Sequence, residues 1–308
     1  MKHLLWVTKQ YVHKIVAYLV AMTLRPGAIY NVANFRLWER HGYHITPIHF
    51  YYPIPDTREI DKLNLQRSSI SGIDLRERFQ LALIKEHFIK FSSEYNNFPI
   101  NPENSKVFYL KNDAFSGIDP YIYYCMARHF KPKTIIEIGS GYSTLLGAQA
   151  CRLNNATRYI CIDPWPRDFI SIGVPDVNFI RERVEYIELS LFKQLQPDDI
   201  LFIDSSHVVR TGGDVSFLIL EILPLLAKGV IVHFHDIFLP ADYPKDWIVR
   251  QHRFWTEQYL LQAYLADNEH VEVLFASHFI AEEHANELRQ SYPNALSIDG
   301  GSFWIRKC

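Results

Sequence analysis

The sequence has no excess of charge of either sign, no long hydrophobic run and few cysteines, and each absence excludes a class of protein. Its 32 basic residues face 34 acidic ones, a formal net charge of −2, so the composition does not support nucleic-acid binding. The cysteines show neither zinc-knuckle nor CxxC spacing, and they lie at Cys125, Cys151, Cys161 and Cys308. They are typical of core thiols and one terminal thiol in a reducing compartment, and we expect a cytoplasmic protein.

The apolar residues near the N-terminus are too few to cross a bilayer. The run from Ile15 to Leu24 is much shorter than the roughly 20 residues that a spanning helix needs. Lys2, Lys9 and Lys14 precede it, but Arg25-Pro26-Gly27 is a poor signal-peptide cleavage site. We expect an amphipathic helix that packs on the main domain or on a partner subunit, where it would support a homo-oligomer. Attachment to a membrane surface is the alternative.

The first part of the chain, residues 1–110, lacks the alternation of strands and helices seen later. Pro47, Pro53 and Pro55 interrupt any helix within the aromatic stretch from Gly42 to Ile60. A helical pattern follows over Asp74–Phe91. We therefore predict a helical and irregular N-terminal region that contributes a lid over a substrate. Its side chains would line a pocket or fill core space, and those concerned are Tyr51, Tyr52, Asp56 and Arg58.

Residues 111–308 show repeated strand and helix patterns and predict a second domain. The strand segments are Thr134–Ile138, Arg158–Ile162, Val177–Ile180, Ile200–Ile203, Val230–His235, Val271–Phe275 and Ser302–Ile305. The main helical segments between them are Ser143–Arg152, Thr211–Leu226 and Gln251–Asp267. Strands joined by helical crossovers form a sheet that is covered on both faces. The fold class is therefore α/β, a Rossmann-like seven-stranded doubly wound sheet with a helical and irregular N-terminal extension.

The turn after the first strand carries the clearest sign of ligand binding. Residues 133–144, KTIIEIGSGYST, read as a buried strand that ends in Gly139-Ser140-Gly141 and feeds a helix. Glycines let the backbone approach a ligand, and the start of a helix offers free amides. A dinucleotide fingerprint would require a third glycine where Thr144 stands, and the chain has no phosphate-loop Gly-Lys-Ser/Thr. The turn therefore indicates a nucleotide-like cofactor without a pyrophosphate.

The order Glu-x-Gly-x-Gly resembles the first motif of class I S-adenosylmethionine-dependent methyltransferases. In that family the acidic residue and the glycine turn hold the amino acid part of the cofactor. The resemblance implies cofactor contacts from Glu137, Gly139, Ser140, Gly141 and Ser143.

Three further positions would complete the cofactor site. Asp163 ends the second strand, where a carboxylate typically binds the ribose hydroxyls of an adenosine-containing ligand, although it could also be a turn residue before a proline. Trp165 would pack against the adenosine. The alternatives are a place in the core or in a lid. In the family, the loop after the third strand contacts adenine, which implies Arg183 and Val184 here.

Carboxylates and histidines follow the fourth and fifth strands. The segment ILFIDSSHV ends a strand with Asp204 and has His207 three residues later, and VIVHFHDIFLP ends in His233, His235 and Asp236. Because parallel strand ends meet at one edge of a sheet, Asp204, His235 and Asp236 should gather there. Two carboxylates and an imidazole suit a divalent cation, Mg²⁺ first, then Mn²⁺ or Fe²⁺. Helix-capping aspartates and core histidines are the alternatives, and we expect His233 to be structural.

The sequence IDSSH with a downstream HD resembles the metal-dependent O-methyltransferases of natural-product and sugar tailoring, including the macrolide sugar O-methyltransferases and the cephalosporin-hydroxylase-like group. The resemblance covers roughly residues 110–240. Those enzymes bind a metal through an aspartate after the fourth strand and an acidic pair after the fifth. This implies Asp204 and Asp236 as ligands, with His235 where the family often has Glu or Asp. It also implies His207 as general base beside Asp204.

These motifs predict an S-adenosylmethionine-dependent methyltransferase that O-methylates a small hydroxylated or glycosylated metabolite with the help of a metal. A methyl sulfonium is already electrophilic, so the enzyme must align the acceptor and remove its proton. The alternatives are a nitrogen acceptor, a metal-independent reaction, a non-catalytic scaffold, and a hydrolase or oxygenase built on His233, His235 and Asp236. The region after Asp236 would form a further lid that meets the acceptor through Trp247, Arg253, Trp255 and Glu257.

Overall fold

The chain folds into two compact units. The structure, a computed structural model, describes residues 2–23, 31–65, 69–102, 104, 106–154 and 157–308. One unit ends at Leu63 and the other begins at Asn64. The division therefore falls earlier than the expected boundary at residue 110. The reason is that Leu83, Ile84 and Phe88 pack in the same buried core as residues of the sheet.

The described residues of the N-terminal unit form two α-helices and an irregular segment. Helix α1 spans Lys2–Thr23, and α2 spans Val32–Arg40 and begins at Asn31, whose side chain accepts a hydrogen bond from an amide of the first turn. The proline-punctuated stretch is irregular until a single 3₁₀ turn at Ile60–Lys62. Among the helices of the described ranges, none has the length and apolarity that crossing a bilayer requires.

The second unit opens with a broken helical stretch. Helix α3, Glu77–Ala82, continues through a π turn at Leu83–His87 and a 3₁₀ turn at Phe88–Phe91 into α4, Ser92–Tyr95. The predicted helical stretch is thus present, beginning at Glu77 rather than Asp74. The remaining helices are α5 Asp119–Phe130, α6 Tyr142–Asn154, α7 Asp168–Ser171, α8 Leu189–Phe192, α9 Asp214–Phe217, α10 Lys245–Val249, α11 Glu257–Leu265, α12 Ser277–Glu283 and α13 Ala285–Ser291.

Seven strands form one sheet, as predicted. They are β1 Thr134–Ile138, β2 Arg158–Ile162, β3 Val177–Ile180, β4 Ile200–Ile203, β5 Ile231–Phe234, β6 Val271–Ala276 and β7 Phe303–Lys307. Their order is β3-β2-β1-β4-β5-β7-β6, with β1 to β5 parallel and β7 antiparallel to both neighbours. The Rossmann-like, doubly wound fold class is therefore confirmed.

Strand side chains alternate between two hydrophobic cores, one on each face of the sheet. On β1, Ile135 belongs to one core, whereas Ile136 and Ile138 belong to the other. On β4, Phe202 belongs to the same core as Ile135, and Ile203 belongs to the other core. This alternation follows from the two-residue period of a strand, and it explains why these strands are apolar on both faces.

The topology gathers four strand ends at one edge. The chain runs from β1 outward to β3 and returns beside β1 as β4, which creates the switch point where α/β sheets bind ligands. Backbone bonds extend past the strands: the amide of Gly139 donates to Ile162, that of Asp204 to Ile138 and that of His235 to Ile203. The predicted site residues on these strands are thereby placed side by side.

Candidate active site

The glycine turn after β1 packs directly on the end of β4. Gly139 has φ +86°, and a Cβ atom there would lie 2.1 Å from the backbone oxygen of Asp204. Only glycine satisfies both demands. A Cβ atom on Gly141 would meet nothing within 4 Å, so this side of the turn faces open space. The first glycine closes the turn against the sheet, and the second leaves room above it.

Glu137 lies buried beneath the turn. Its carboxyl oxygens accept hydrogen bonds from the Ser143 hydroxyl at 2.5 Å and the Tyr159 hydroxyl at 2.9 Å. Burial raises the pKa of Glu137 to about 7 despite these hydrogen bonds, because a charged carboxylate is poorly solvated there. Two predicted cofactor residues, Glu137 and Ser143, thus bind each other and support the turn from below.

Asp163 lies beside the turn, at the end of β2. Ser140 donates a side-chain hydrogen bond to one oxygen of Asp163, and the amide of Trp165 donates to the other at 2.8 Å. The Trp165 side chain is 80% exposed, which rules out the core role that was one of its three possibilities. The structure therefore brings Ser140, Asp163 and the following loop together at the carboxyl ends of β1 and β2.

Arg183 and Val184, the residues named for adenine contact, have partners within the protein. Val184 is buried in the hydrophobic core. The Arg183 guanidinium donates to Glu185 at 2.5 Å and lies 5.3 Å over the ring of Tyr186. Both side chains therefore have a structural explanation that the sequence did not reveal.

Asp204, His207 and Asp236 form a compact cluster at the ends of β4 and β5. The Nε2 atom of His207 is 3.3 Å from Oδ1 of Asp204 and 3.6 Å from Oδ2 of Asp236. One ligand atom from each side chain lies within 4.8 Å of the other two. His207 and Asp236 have φ values of +60° and +57°, which are costly for non-glycine residues and are characteristic of functional sites.

Glu257 holds the other side of the His207 ring. Its Oε2 atom is 2.8 Å from Nδ1 of His207, and its Oε1 atom accepts a hydrogen bond from Ser205 at 3.1 Å. Sequence reasoning placed Glu257 in a lid facing the acceptor, whereas the structure buries it completely behind the imidazole. An acidic residue at a helix start is too common to have signalled this partnership. The ring of Trp255 also packs on His207, with centroids 4.2 Å apart.

The pKa values of the three cluster residues are shifted in different directions. Burial alone would lower the pKa of His207, but hydrogen bonds to Asp204 and Glu257 outweigh it and raise that pKa well above its ordinary value. Burial raises the pKa of Asp236. Burial opposes the charge of Asp204 too, yet the contact with His207 and the nearby His235 leave the pKa of Asp204 lowered. A cluster of this kind is suited to binding a cation or to exchanging a proton.

The two histidines of the β5 segment occupy separate environments. His233 bonds to Ser302 at 2.9 Å and stacks on Phe202, and burial lowers its pKa well below the ordinary value, so it is a neutral core residue as predicted. His235 lies beside the cluster, with Nε2 3.8 Å from Oδ1 of Asp236. Its Nδ1 atom has no hydrogen-bond partner among the described residues. His207 therefore stands closer to both carboxylates than the expected ligand His235 stands to Asp236.

Residues 136–237 match the sequence profile of a protein family described as a methyltransferase domain. The chain carries a methyltransferase domain. The Glu-x-Gly-x-Gly turn, which resembles the first motif of the S-adenosylmethionine-dependent class, lies within the matched segment after β1. The predicted enzyme class is thereby confirmed. The matched segment runs from β1 past the end of β5 and contains the turn, Asp163 and the acidic cluster.

Several known proteins are similar to part of the chain. An uncharacterised protein of Archaeoglobus fulgidus is 29% identical over 167 residues, which cover 50% of this chain and 75% of that protein. A crystal structure of the SAH-bound Podospora anserina methyltransferase PaMTH1 matches at 19% identity and a TM-score of 0.41, covering 78% of this chain and 99% of that one. The O-methyltransferase TomG from Streptomyces achromogenes, solved with SAM, matches at 14% identity and a TM-score of 0.40, covering 72% and 98%.

Proposed function

We propose that the methyltransferase domain transfers the methyl group of S-adenosylmethionine to an oxygen of a small hydroxylated or glycosylated metabolite, assisted by a divalent cation. The observation that carries this proposal is the convergence of Asp204, His207 and Asp236 next to the glycine turn. A donor site and a polar acceptor site are then adjacent on one rigid sheet edge. In-line transfer between two bound reactants requires such an arrangement.

The donor would bind across the ends of β1 and β2. The open space above Gly141, at the start of α6, suits the amino acid part of the cofactor. Asp163, presented beside Ser140, suits the two ribose hydroxyls. The exposed indole of Trp165 could then cover the adenosine.

The donor atoms of the cluster fit a divalent cation. Neighbouring ligands of a six-coordinate Mg²⁺ are about 3 Å apart, because its ligand bonds are about 2.1 Å long. The separations of 3.3 and 3.6 Å around Nε2 of His207 are close to that spacing. Asp204, Asp236 and His207 would hold the ion, and two carboxylates with one imidazole suit Mg²⁺, Mn²⁺ or Fe²⁺. A cation there would lower the pKa of a bound hydroxyl group.

A metal-independent reaction is the second candidate function, favoured by the same contacts of His207. Nε2 faces the cluster because Nδ1 bonds to Glu257, so once deprotonated Nε2 would take the acceptor proton, the role that the sequence resemblance implies. The roles of ligand and base use the same nitrogen and exclude each other. Sensitivity to chelators therefore separates the two candidates.

The acceptor would lie against the segment between β5 and α11. Trp255 packs on His207, and the Arg253 guanidinium lies 4.5 Å over Trp247 and 4.9 Å over Trp255. Stacking of this kind orders the guanidinium and both indoles. The two indoles form a flat wall, and the guanidinium adds a positive charge beside the cluster. Together they suit a hydroxylated ring.

Transfer of labelled methyl groups tests the proposed function. The chain, freed of metal by chelation, would be incubated with methyl-labelled S-adenosylmethionine and a panel of polyhydroxylated and glycosylated small molecules, with and without Mg²⁺, Mn²⁺ or Fe²⁺. We expect oxygen methylation that needs a cation and falls by at least 10-fold in Asp236→Asn, whereas the exposed control Glu221→Gln retains activity. Turnover that is insensitive to EDTA would favour His207 as base, and products methylated on nitrogen would remove the oxygen assignment.

Cell location and assembly form a separate part of the proposal. The cysteines are free thiols, three of them buried, which supports a reducing, cytoplasmic environment. Helix α1 exposes apolar side chains, including Ile15, Val16 and Leu19, and we assign it to a homo-oligomer contact. Light scattering on the full chain and on Val16→Glu tests this: the variant should have the lower mass, and equal masses would contradict the assignment.

A further inference from the structure

We propose that Glu257 is a positioning residue that makes His207 the third protein ligand of the cation site. The inference rests on the proposed function. It goes further by giving His207 a definite role and by bringing in a residue from outside the matched family segment, which ends at residue 237. The contact that carries it is the 2.8 Å approach of Oε2 of Glu257 to Nδ1 of His207.

The Glu257 carboxylate is committed to this contact. It is fully buried, and its second oxygen accepts the hydrogen bond from Ser205. Burying a carboxylate without partners is expensive, so its two partners define its position. Glu257 is also the first residue of α11, where a negative charge suits the helix dipole. An exposed side chain would serve that purpose equally well, so the dipole does not explain why this one turns inward to the imidazole.

The contact fixes which nitrogen of His207 is free. With Nδ1–H donating to the carboxylate, Nε2 is the ring nitrogen that faces Asp204 and Asp236, and a cation bound there would take the place of its proton. Metal-ligating histidines typically donate their other ring N–H to a carboxylate or carbonyl, which fixes the tautomer and the ring orientation. The Nε2 distances of 3.3 and 3.6 Å also suit neighbouring ligands of one ion.

The backbone supports the same orientation. The carbonyl oxygen of His207 accepts hydrogen bonds from the amides of Thr256 at 2.8 Å and Glu257 at 3.1 Å. Trp255 packs on the imidazole ring from the same segment. These contacts fix the left-handed backbone of His207 to the start of α11. A cation ligand held from three sides loses little freedom on binding the ion.

Binding of Mn²⁺ to the full chain, freed of metal by chelation, tests the role of Glu257 without any turnover. Calorimetric titration would give the affinity, and electron spin echo modulation would report directly bound imidazole nitrogen. We expect Glu257→Gln to weaken Mn²⁺ binding by about 10-fold or more, the usual effect of losing such a partner. The nitrogen signal should be present in the wild type and absent in His207→Gln. The double variant should lose little beyond either single variant, because both changes disable one ligand.

Two readouts keep the outcomes distinct. S-adenosylhomocysteine affinity should be unchanged in all variants, which shows that they fold and that the donor site is intact. If Glu257→Gln binds Mn²⁺ within 2-fold of the wild type, or if the nitrogen signal survives His207→Gln, Glu257 does not act through a metal-bound His207. A wild-type chain that binds S-adenosylhomocysteine but no Mn²⁺ would overturn metal assistance together with this inference.

Discussion

Gly139 is pressed against the backbone oxygen of Asp204, so closely that a Cβ atom would approach that oxygen to 2.1 Å. The turn proposed to bind the methyl donor and the first carboxylate of the acidic cluster are therefore one packed unit. Close-packed contacts of this kind do not deform freely. The distance between donor and acceptor sites is thus set by the fold rather than by side-chain rotation.

Replacement by alanine should have different effects at the two glycines of the turn. Gly139→Ala meets both the backbone clash and a φ of +86°, so we expect a lower melting temperature and a loss of about 1–3 kcal/mol from backbone strain alone. Gly141→Ala meets no atom within 4 Å and should fold normally, but its methyl group should reduce affinity for S-adenosylhomocysteine. Thermal unfolding and calorimetric titration of both variants check this pair, and equal stability would contradict the packing argument.

Glu137 should make stability fall as the pH rises from about 4.5 to about 7. Its folded pKa of about 7 lies above the ordinary value of 4.5, so below pH 4.5 it is protonated in both states and costs nothing. Between these two pH values Glu137 is ionised in the unfolded chain but still protonated in the folded one. The free energy of unfolding therefore falls by about 3 kcal/mol across this range. Urea unfolding at pH 5, 6, 7 and 8 should show a smaller decrease for Glu137→Gln than for the wild type. Parallel curves would show that this carboxyl is already ionised at pH 5.

Metal removal should affect the two histidines near the cluster differently. EDTA treatment should abolish methyl transfer, and Mg²⁺ or Mn²⁺ should restore it. His207→Gln should weaken Mn²⁺ binding by at least 10-fold, because its Nε2 atom lies near both carboxylates. His235→Asn should bind Mn²⁺ within about 3-fold of the wild type, since its imidazole stands outside the converging group. A larger loss in His235→Asn would restore the ligand set expected from the sequence.

Trp255 should act on the acceptor step and not on the donor site. Trp255→Leu removes the ring that packs on His207 and on the Arg253 guanidinium. We expect kcat to fall about 10-fold and KM for the acceptor to rise, with affinity for S-adenosylhomocysteine unchanged. Steady-state kinetics with a fixed acceptor and calorimetric titration check the split. Weaker donor binding in this variant would place Trp255 in the cofactor site instead.

The sequence predicted the sheet because strand signals are local. Each strand is a short apolar run between polar turns, and the glycine turn and Asp163 mark strand ends directly. The limits of helices were less accurate: the segment predicted as one helix from Gln251 to Asp267 is helical only over Glu257–Leu265. The loop before it contains His252 at φ +55°. Such a conformation is set by tertiary contacts, which the sequence pattern does not report.

The acidic cluster could be predicted only in part, because tertiary contacts decide which side chains meet there. Asp204 and Asp236 follow from strand ends, which the chain order reveals. The position of the His207 ring near both carboxylates depends on its left-handed backbone and on a carboxylate fifty positions away. The place of Val184 in the loop after the third strand could be read from the sequence, whereas the packing of its side chain in the core could not. Side-chain direction at irregular positions is decided by packing, and that information is absent from local pattern.

The central claim is that this chain binds S-adenosylmethionine at the ends of β1 and β2, and calorimetric titration with S-adenosylhomocysteine tests it most directly. The account predicts saturable one-to-one binding to the wild type and to the exposed control Glu221→Gln, and affinity at least 10-fold weaker in Asp163→Ala. Absence of binding to the folded wild type, or equal affinity in Asp163→Ala, would contradict it.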